Sequence, residues 1–295
     1  MIDYIYLFLY KLFKILLSIL SHKAKIRLIK SLAWLAYKIS SKHRKIIAKN
    51  LSIAFGDTLS KEQIKDISLS AFANLVDTTL GIIERDGMSK SDVVKNVKFE
   101  GDEIVQKYID SNKKIIFITG HQSNWELLSQ SIAIHFGITL VGVGRKLDSE
   151  VMDKILKENR EQFNVEMVYK KGAMKGCIKS LSQNKAVGIL IDQALGRDIS
   201  IDVKFFGKDT THTPIASILS RKFDIDLIPA FISTDDYKNY IVKVYEPIKS
   251  IKTDNQERDL SILTQAQANA MEKAIREHPK EWFWMHKRWK GFEEY

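Results

Sequence analysis

The sequence is poor in the residues that cross-link or interrupt a chain. A single cysteine, Cys177, among 295 residues excludes an internal disulfide framework and a cysteine-rich zinc site. It is also compatible with a reducing compartment. Four prolines and 14 glycines leave little material for long disordered linkers. Neither H-E-x-x-H nor another clustered set of metal ligands occurs, so no metal and no cofactor is expected. RRM, zinc-finger and helix-turn-helix signatures are also missing, which leaves nucleic-acid binding without a motif. Acidic charge falls short of basic, 36 residues against 46, for a formal charge of +10. A basic surface suits anionic lipid, a phosphorylated substrate or an acidic carrier protein.

A long uninterrupted apolar run is missing as well. Residues 2–20 read IDYIYLFLYKLFKILLSIL, with Lys11 and Lys14 inside the run. A spanning helix needs roughly 20 apolar residues, and lysine at mid-membrane costs roughly 2.5–3.5 kcal/mol. Lys11, Lys14 and Ser18 fall on one stripe at helical spacing, the pattern of a helix lying in a membrane interface. A buried core helix is the other reading. Residues 1–22 are therefore expected to be a membrane anchor. The basic collar from Lys23 to Lys45 favours an anionic cytoplasmic leaflet.

What is present is a change of texture near residue 96. Residues 23–95 show apolar positions three and four apart, as in IRLIKSLAWLAYKI, and no strand candidate. Residues 96–295 alternate β-rich runs (114–119, 138–143, 186–191, 227–232, 240–245) with helical stretches near 102–111, 124–136, 149–162, 173–183 and 213–223. That alternation predicts an α/β fold, a mixed and largely parallel sheet flanked by helices, behind a helical N-terminal region.

The segment IIFITGHQSNWELL, residues 115–128, places Gly120 and His121 between a buried strand and a helix starting near Ser123 or Asn124. Sites in open α/β sheets lie beyond the carboxyl ends of strands. His121 and Glu126 are expected to act as a pair, the carboxylate fixing the imidazole tautomer and leaving a general base. Seven histidines and 36 acidic residues give about one chance match to H-x4-[DE], so the strand–Gly–His–helix context carries the weight.

The segment Gly120-His121-Gln122-Ser123-Asn124-Trp125-Glu126 resembles the lipid A late acyltransferases of the lysophospholipid acyltransferase superfamily. Further ordered similarities run along the chain: Asn50-Leu51 with Ala54-Phe55, Gly144-Arg145-Lys146-Leu147-Asp148, Ile191-Asp192-Gln193, Phe205-Phe206-Gly207 with Thr213-Pro214, Ile228-Pro229-Ala230-Phe231, and His278-Pro279 through Trp282, Trp284 and His286-Lys287-Arg288. The resemblance implies a glycerolipid acyltransferase-like domain over 23–295 and transfer of an acyl chain from acyl carrier protein to a Kdo-bearing lipid A precursor. The place would be the cytoplasmic face of the bacterial inner membrane, with the membrane, the carrier protein and a phosphorylated glycolipid as partners and no nucleic acid. Another acyltransferase of the superfamily, acting on glycerophospholipid or glycolipid, is the nearest alternative. A thioesterase and a non-catalytic basic membrane-binding module are further ones.

Under this resemblance His121 and Glu126 are catalytic, and Arg145, Asp192 and Asn124 contact substrate. Arg145 would either stabilise an oxyanion or grip an acceptor phosphate; as a surface charge it would do neither. Asp192 ends an apolar run, so it either faces substrate or caps a turn. Cys177 lies inside a helical stretch and reads as a small buried residue rather than a nucleophile. Phe205-Phe206 can line an acyl pocket or fill a core. The Trp-rich tail can stack on bases, anchor at an interface or pack on the domain.

Overall fold

The computed structural model describes residues 2–295. Five helices come first: α1 (Ile2–Ile19), α2 (His22–Ile39), α3 (Ser41–Phe55), α4 (Lys61–Arg85) and the short α5 (Lys90–Val94). Ser60 and Gln63 form a reciprocal capping box at the start of α4, satisfying two orphan groups of the first turn. The α/β part follows, with β1 (Val97–Glu100), α6 (Asp102–Asp110), β2 (Ile116–Thr119), α7 (Trp125–His135), β3 (Leu140–Gly144), α8 (Glu150–Glu161), β4 (Val165–Tyr169), α9 (Ala173–Ser182) and β5 (Ala186–Leu190). Then come a β6 (Ile201–Phe205)–β7 (Lys208–His212) hairpin, α10 (Ile215–Phe223), β8 (Leu227–Ser233), β9 (Tyr240–Val244) and α11 (Gln256–Glu277).

Seven strands form one sheet in the order β1-β9-β8-β2-β5-β3-β4. All neighbours are parallel except β8 and β9. The sheet is thus α/β, largely parallel and flanked by helices, as the alternation implied. Side chains on successive strand residues point to opposite faces, and β2 feeds two cores accordingly. Ile116 and Ile118 join a core built with α2, α3, α4 and α11. Phe117 joins another with α6 and α7.

Four strands carried no signal that separated them from loop. β1, VKFE, alternates between half-buried and exposed, and β4, VEMVY, has one buried residue. β6 and β7 form a separate antiparallel pair in the stretch after residue 191, where the sequence offered no strand candidate. Lys204 stands on β6 opposite Asp209.

α1 is docked along one side and bare along the other. Tyr10 and Leu17 are buried, and both the Tyr10 hydroxyl (2.8 Å) and the Lys14 ammonium hold Asp86 just past α4. The outer side exposes Tyr4, Phe8, Leu12, Ile15 and Ile19, a stripe repeating every three or four residues. Lys14 therefore belongs to the domain-facing side rather than to a membrane-facing one. Only α4 is both long and apolar enough among the described residues to cross a membrane, and 56% of that window is buried inside the protein. A buried core helix passes the same test.

Candidate active site

The site is built where β2 and β5 end side by side. Thr119 and Leu190 are register partners, so His121 and Asp192, each two residues further on, arrive at the same place. At Gly120 an added Cβ would lie 2.4 Å from the Met271 side chain and 3.2 Å from the Asp192 carboxyl carbon. Only glycine lets the chain approach Asp192 so closely. Ser123 then takes a left-handed φ of 47°, a strain of roughly 1–3 kcal/mol that the surroundings must hold. They do so through the tail. Ser123 donates its backbone N–H to the Glu281 carbonyl (2.8 Å), and Phe283 donates to the His121 carbonyl (2.9 Å).

Asp192 is the carboxylate that holds the imidazole. Its Oδ1 lies 2.8 Å from His121 Nδ1, and its Oδ2 accepts from the His121 backbone N–H and from Trp282 Nε1–H, both at 2.9 Å. An ionised carboxylate only accepts, so Nδ1 carries the proton and Nε2 is free. Burial pushes the Asp192 carboxyl up, but the His121 charge and the three hydrogen bonds outweigh it and hold it well below the usual carboxylate range. Burial likewise opposes a charged His121, yet the Asp192 charge and hydrogen bond, with Glu126 adding to them, raise its pKa. The imidazole stays partly open to solvent, beside the Trp125 ring at 5.1 Å and the Phe283 ring at 6.1 Å.

The direct His121–Glu126 bond expected from H-x4-[DE] spacing is replaced by another arrangement. Glu126 lies in the first turn of α7 and is buried. Its two oxygens take the Arg160 guanidinium from α8 at 2.9 and 2.5 Å. Burial pushes Glu126 up, but Arg160 outweighs it and holds the carboxylate ionised. Glu126 thus acts on His121 through its charge, not through a hydrogen bond.

Asn124 is the N-cap of α7 rather than an open contact for substrate. Its Oδ1 accepts from Leu127 N–H (3.1 Å), and its Nδ2 donates to the buried Asp77 carboxylate (2.8 Å). Desolvation raises the Asp77 carboxyl to about 6. Arg145 follows the carboxyl end of β3, two strands from β2 and about 10 Å away at ordinary strand spacing. It is exposed and pairs with Asp148 at 3.3 Å. Lys170 follows the end of β4, also exposed, and its charge opposes protonation of His121. Arg145 and Lys170 thus follow strands whose carboxyl ends lie along the same edge of the sheet as the imidazole.

Cys177 is fully buried, and burial pushes its thiol up to about 11, so it is no nucleophile. Phe205 and Phe206 pack with Trp282, Trp284 and Trp289 in the core. The tryptophan tail accordingly packs on the domain and clamps the 121–123 loop. Among the described residues, no group of three His, Cys, Asp or Glu side chains gathers as a metal site.

The partnership of Asp192 with His121, Arg160 as the mate of Glu126, and the clamp by Trp282 and the tail all escaped sequence reasoning. Spacing along the chain cannot report that β2 and β5 are neighbours. The one available signal was an acidic residue ending an apolar strand.

Comparison with known proteins supplies the rest. The chain is 21% identical over 249 residues to a lipid A biosynthesis acyltransferase of Haemophilus influenzae, covering 78% of this chain and 77% of that protein. Residues 1–291 match the family of bacterial lipid A biosynthesis acyltransferases. With the match spanning nearly the whole chain, this protein belongs to that family and is an acyltransferase of lipid A synthesis.

Proposed function

We propose that the acyl donor is a thioester on acyl carrier protein and the acceptor a hydroxyl of a Kdo-bearing, phosphorylated lipid A precursor, with transfer at the cytoplasmic face of the inner membrane. The observation that carries this reading is the open Nε2 of His121, fixed in tautomer by Asp192, along a sheet edge that also carries the exposed Arg145 and Lys170. Both proposed substrates are anionic, which suits these cations.

His121 Nε2 accepts the proton of the acceptor hydroxyl as its oxygen attacks the thioester carbonyl. The carbonyl electron pair moves to the oxygen, then returns as the C–S bond breaks and the carrier thiol leaves with the proton. Asp192 stabilises the imidazolium formed in between, as the orienting carboxylate of a triad does. Glu126, anchored by Arg160, adds negative field to the same cation. The oxyanion needs preorganised donors. The backbone N–H groups of Gln122, Ser123 and Leu127 are already taken, so those of Trp125 and Glu126, in the first helical turn, supply this role. Arg145 then grips an acceptor phosphate, for which its planar fork is suited.

The test uses purified protein, acyl carrier protein loaded with acyl chains of several lengths, and the Kdo-bearing acceptor, with products read by mass spectrometry. His121→Ala should lower transfer roughly 100- to 10,000-fold, the usual worth of a general base, with circular dichroism unchanged. Because the His121 pKa is raised above 6.5 and the base is the neutral form, the rate should fall as pH drops through a value above 6.5. Transfer by His121→Ala at the wild-type rate would end the proposal.

A further inference from the structure

Arg288 carries a buried charge with no anion in hydrogen-bonding contact. It is 0% exposed. Nη1 donates to Thr210 Oγ1 (3.1 Å) and the Thr211 carbonyl (2.6 Å), and Nη2 to His212 Nδ1 (2.7 Å). The guanidinium lies 4.8 Å from the Phe205 ring centre, and its Nε–H is buried without a partner. His212 cannot supply negative charge either. Its Nδ1 accepts from Arg288, so the proton sits on Nε2, which is buried and unpartnered. Burial, then the Arg288 charge, hold its pKa well below 6.5. Arg160 and Arg221 meet carboxylates directly, at Glu126 and Asp259, whereas the buried Arg85 is held by the neutral amides of Gln130 and Asn124 with the Asp77 charge acting on it. An isolated buried cation is costly unless an opposite charge compensates it.

That opposite charge is close at hand in the fold. Asp192 is 3% exposed, and its bonded partners are His121 and Trp282. When His121 is neutral, Asp192 is a buried anion with no cation in contact. Arg288 belongs to the same tail segment as Trp282, and His286 between them accepts from the Ala194 backbone N–H at 3.1 Å. On the other side, Thr211 Oγ1 exchanges hydrogen bonds with Leu195 N–H and C=O. Tail and β6–β7 hairpin thus enclose the loop 192–195 that begins with Asp192. Burial pushes the Arg288 guanidinium down to about 10, and the charge that chiefly opposes this is Asp192.

We propose that Arg288 is the fixed counter-charge of Asp192, a positioning residue that keeps this carboxylate ionised whether or not His121 holds a proton. This inference rests on the reading of His121 and Asp192 as the working pair. It gives the buried arginine a catalytic purpose. An Asp192 that took up a proton would lose the charge that stabilises the imidazolium and could donate its O–H to Nδ1, so the His121 tautomer would no longer be fixed. Charges acting around the pair also come from Glu126 on α7, Lys170 after β4, and the titratable His286 on the tail and His212 on the hairpin.

The experiment is a double-mutant cycle on stability with the full chain: Arg288→Met, Asp192→Asn and the pair, followed by denaturant unfolding. Compensating charges require the pair to be more stable than the two single losses summed, because the second substitution removes a stranded charge. Additive losses overturn the proposal, as does an Arg288→Met chain that fails to fold and is not recovered by Asp192→Asn. A second reading follows His121 by NMR of the labelled imidazole. Arg288→Lys, which keeps the charge, should leave its titration within about 0.3 of the wild type, whereas Arg288→Met should move it up by about half a unit or more, the ordinary size of a nearby charge effect. No difference between Lys and Met overturns the proposal. Neither readout involves acyl transfer. Coupling found beside an active His121→Ala enzyme would sink the functional reading and leave the charge pair standing.

Discussion

At the scale of single residues, two carboxylates beside one imidazole do different work. Asp192 touches His121 and is otherwise satisfied by Trp282. Asp192→Asn keeps the shape but can present an amide N–H to Nδ1 and reverse the tautomer. It should cut kcat roughly 100- to 10,000-fold with little change in KM, measured on initial rates. Glu126 instead neutralises Arg160, so Glu126→Gln strands a largely buried guanidinium. Breaking such a pair costs roughly 3–5 kcal/mol, and the loss should appear first in denaturant unfolding. Removing the Glu126 charge should also shift the acid limb of the rate downward, since that charge helps raise His121. A Glu126→Gln enzyme of full stability and no activity would show that Glu126 reaches the imidazole during turnover. The histidine itself was legible in the sequence, because strand, glycine and cap are local signals. Its partner was not, because Asp192 is 71 residues away and only strand adjacency joins them.

Elements were legible in proportion to their burial. β8 is buried along all seven residues and β5 along three of its five with none exposed, and such strands read as continuous apolar runs. Edge strands β1 and β4 are half-solvated, and their residues alternate too weakly to separate them from loop. The tail after α11 is irregular, and its role became visible only when 281–283 was seen alongside 121–123. Glu281, at the start of that clamp, is a buried acid. Burial is the chief cause that raises its carboxyl from 4.5 to about 8. The folded chain keeps this proton up to about pH 8, whereas the unfolded chain releases it near 4.5. The stability Glu281 contributes is therefore complete below pH 4.5 and is lost as pH rises through about 8. Glu281→Gln, a mimic of the protonated acid, should match the wild type in melting temperature near pH 5 and exceed it near pH 9. Parallel melting curves across that range would mean the carboxyl titrates normally.

At the scale of the whole molecule, the N-terminal helices carry apolar side chains that the rest of the chain does not cover. The Tyr4–Phe8–Leu12–Ile15–Ile19 stripe of α1 is exposed, as are Trp34, Leu35 and Ile39 on α2. These side chains leave an apolar surface uncovered by the chain itself, of the kind that marks an interaction face. Lys11 borders the stripe, and on a membrane its long stem would let the ammonium reach the headgroups while the apolar residues went deeper. Helix α1 is also pinned to the domain through Tyr10, Lys14 and Asp86, so it cannot stand across a bilayer without leaving those partners. An interfacial helix satisfies both observations. Lengthwise contact of this kind would be strengthened by anionic lipid, given the positive charge of the chain, and should weaken with salt. Sedimentation with vesicles containing an anionic phospholipid should recover the wild type. Phe8→Glu with Leu12→Glu should bind at least tenfold more weakly at an unchanged melting temperature, since neither side chain contributes to the core. Leu17→Glu, on the buried side, should instead unfold the docked helix. If the Phe8→Glu, Leu12→Glu chain bound vesicles as tightly as the wild type, the stripe would not be the membrane-facing surface.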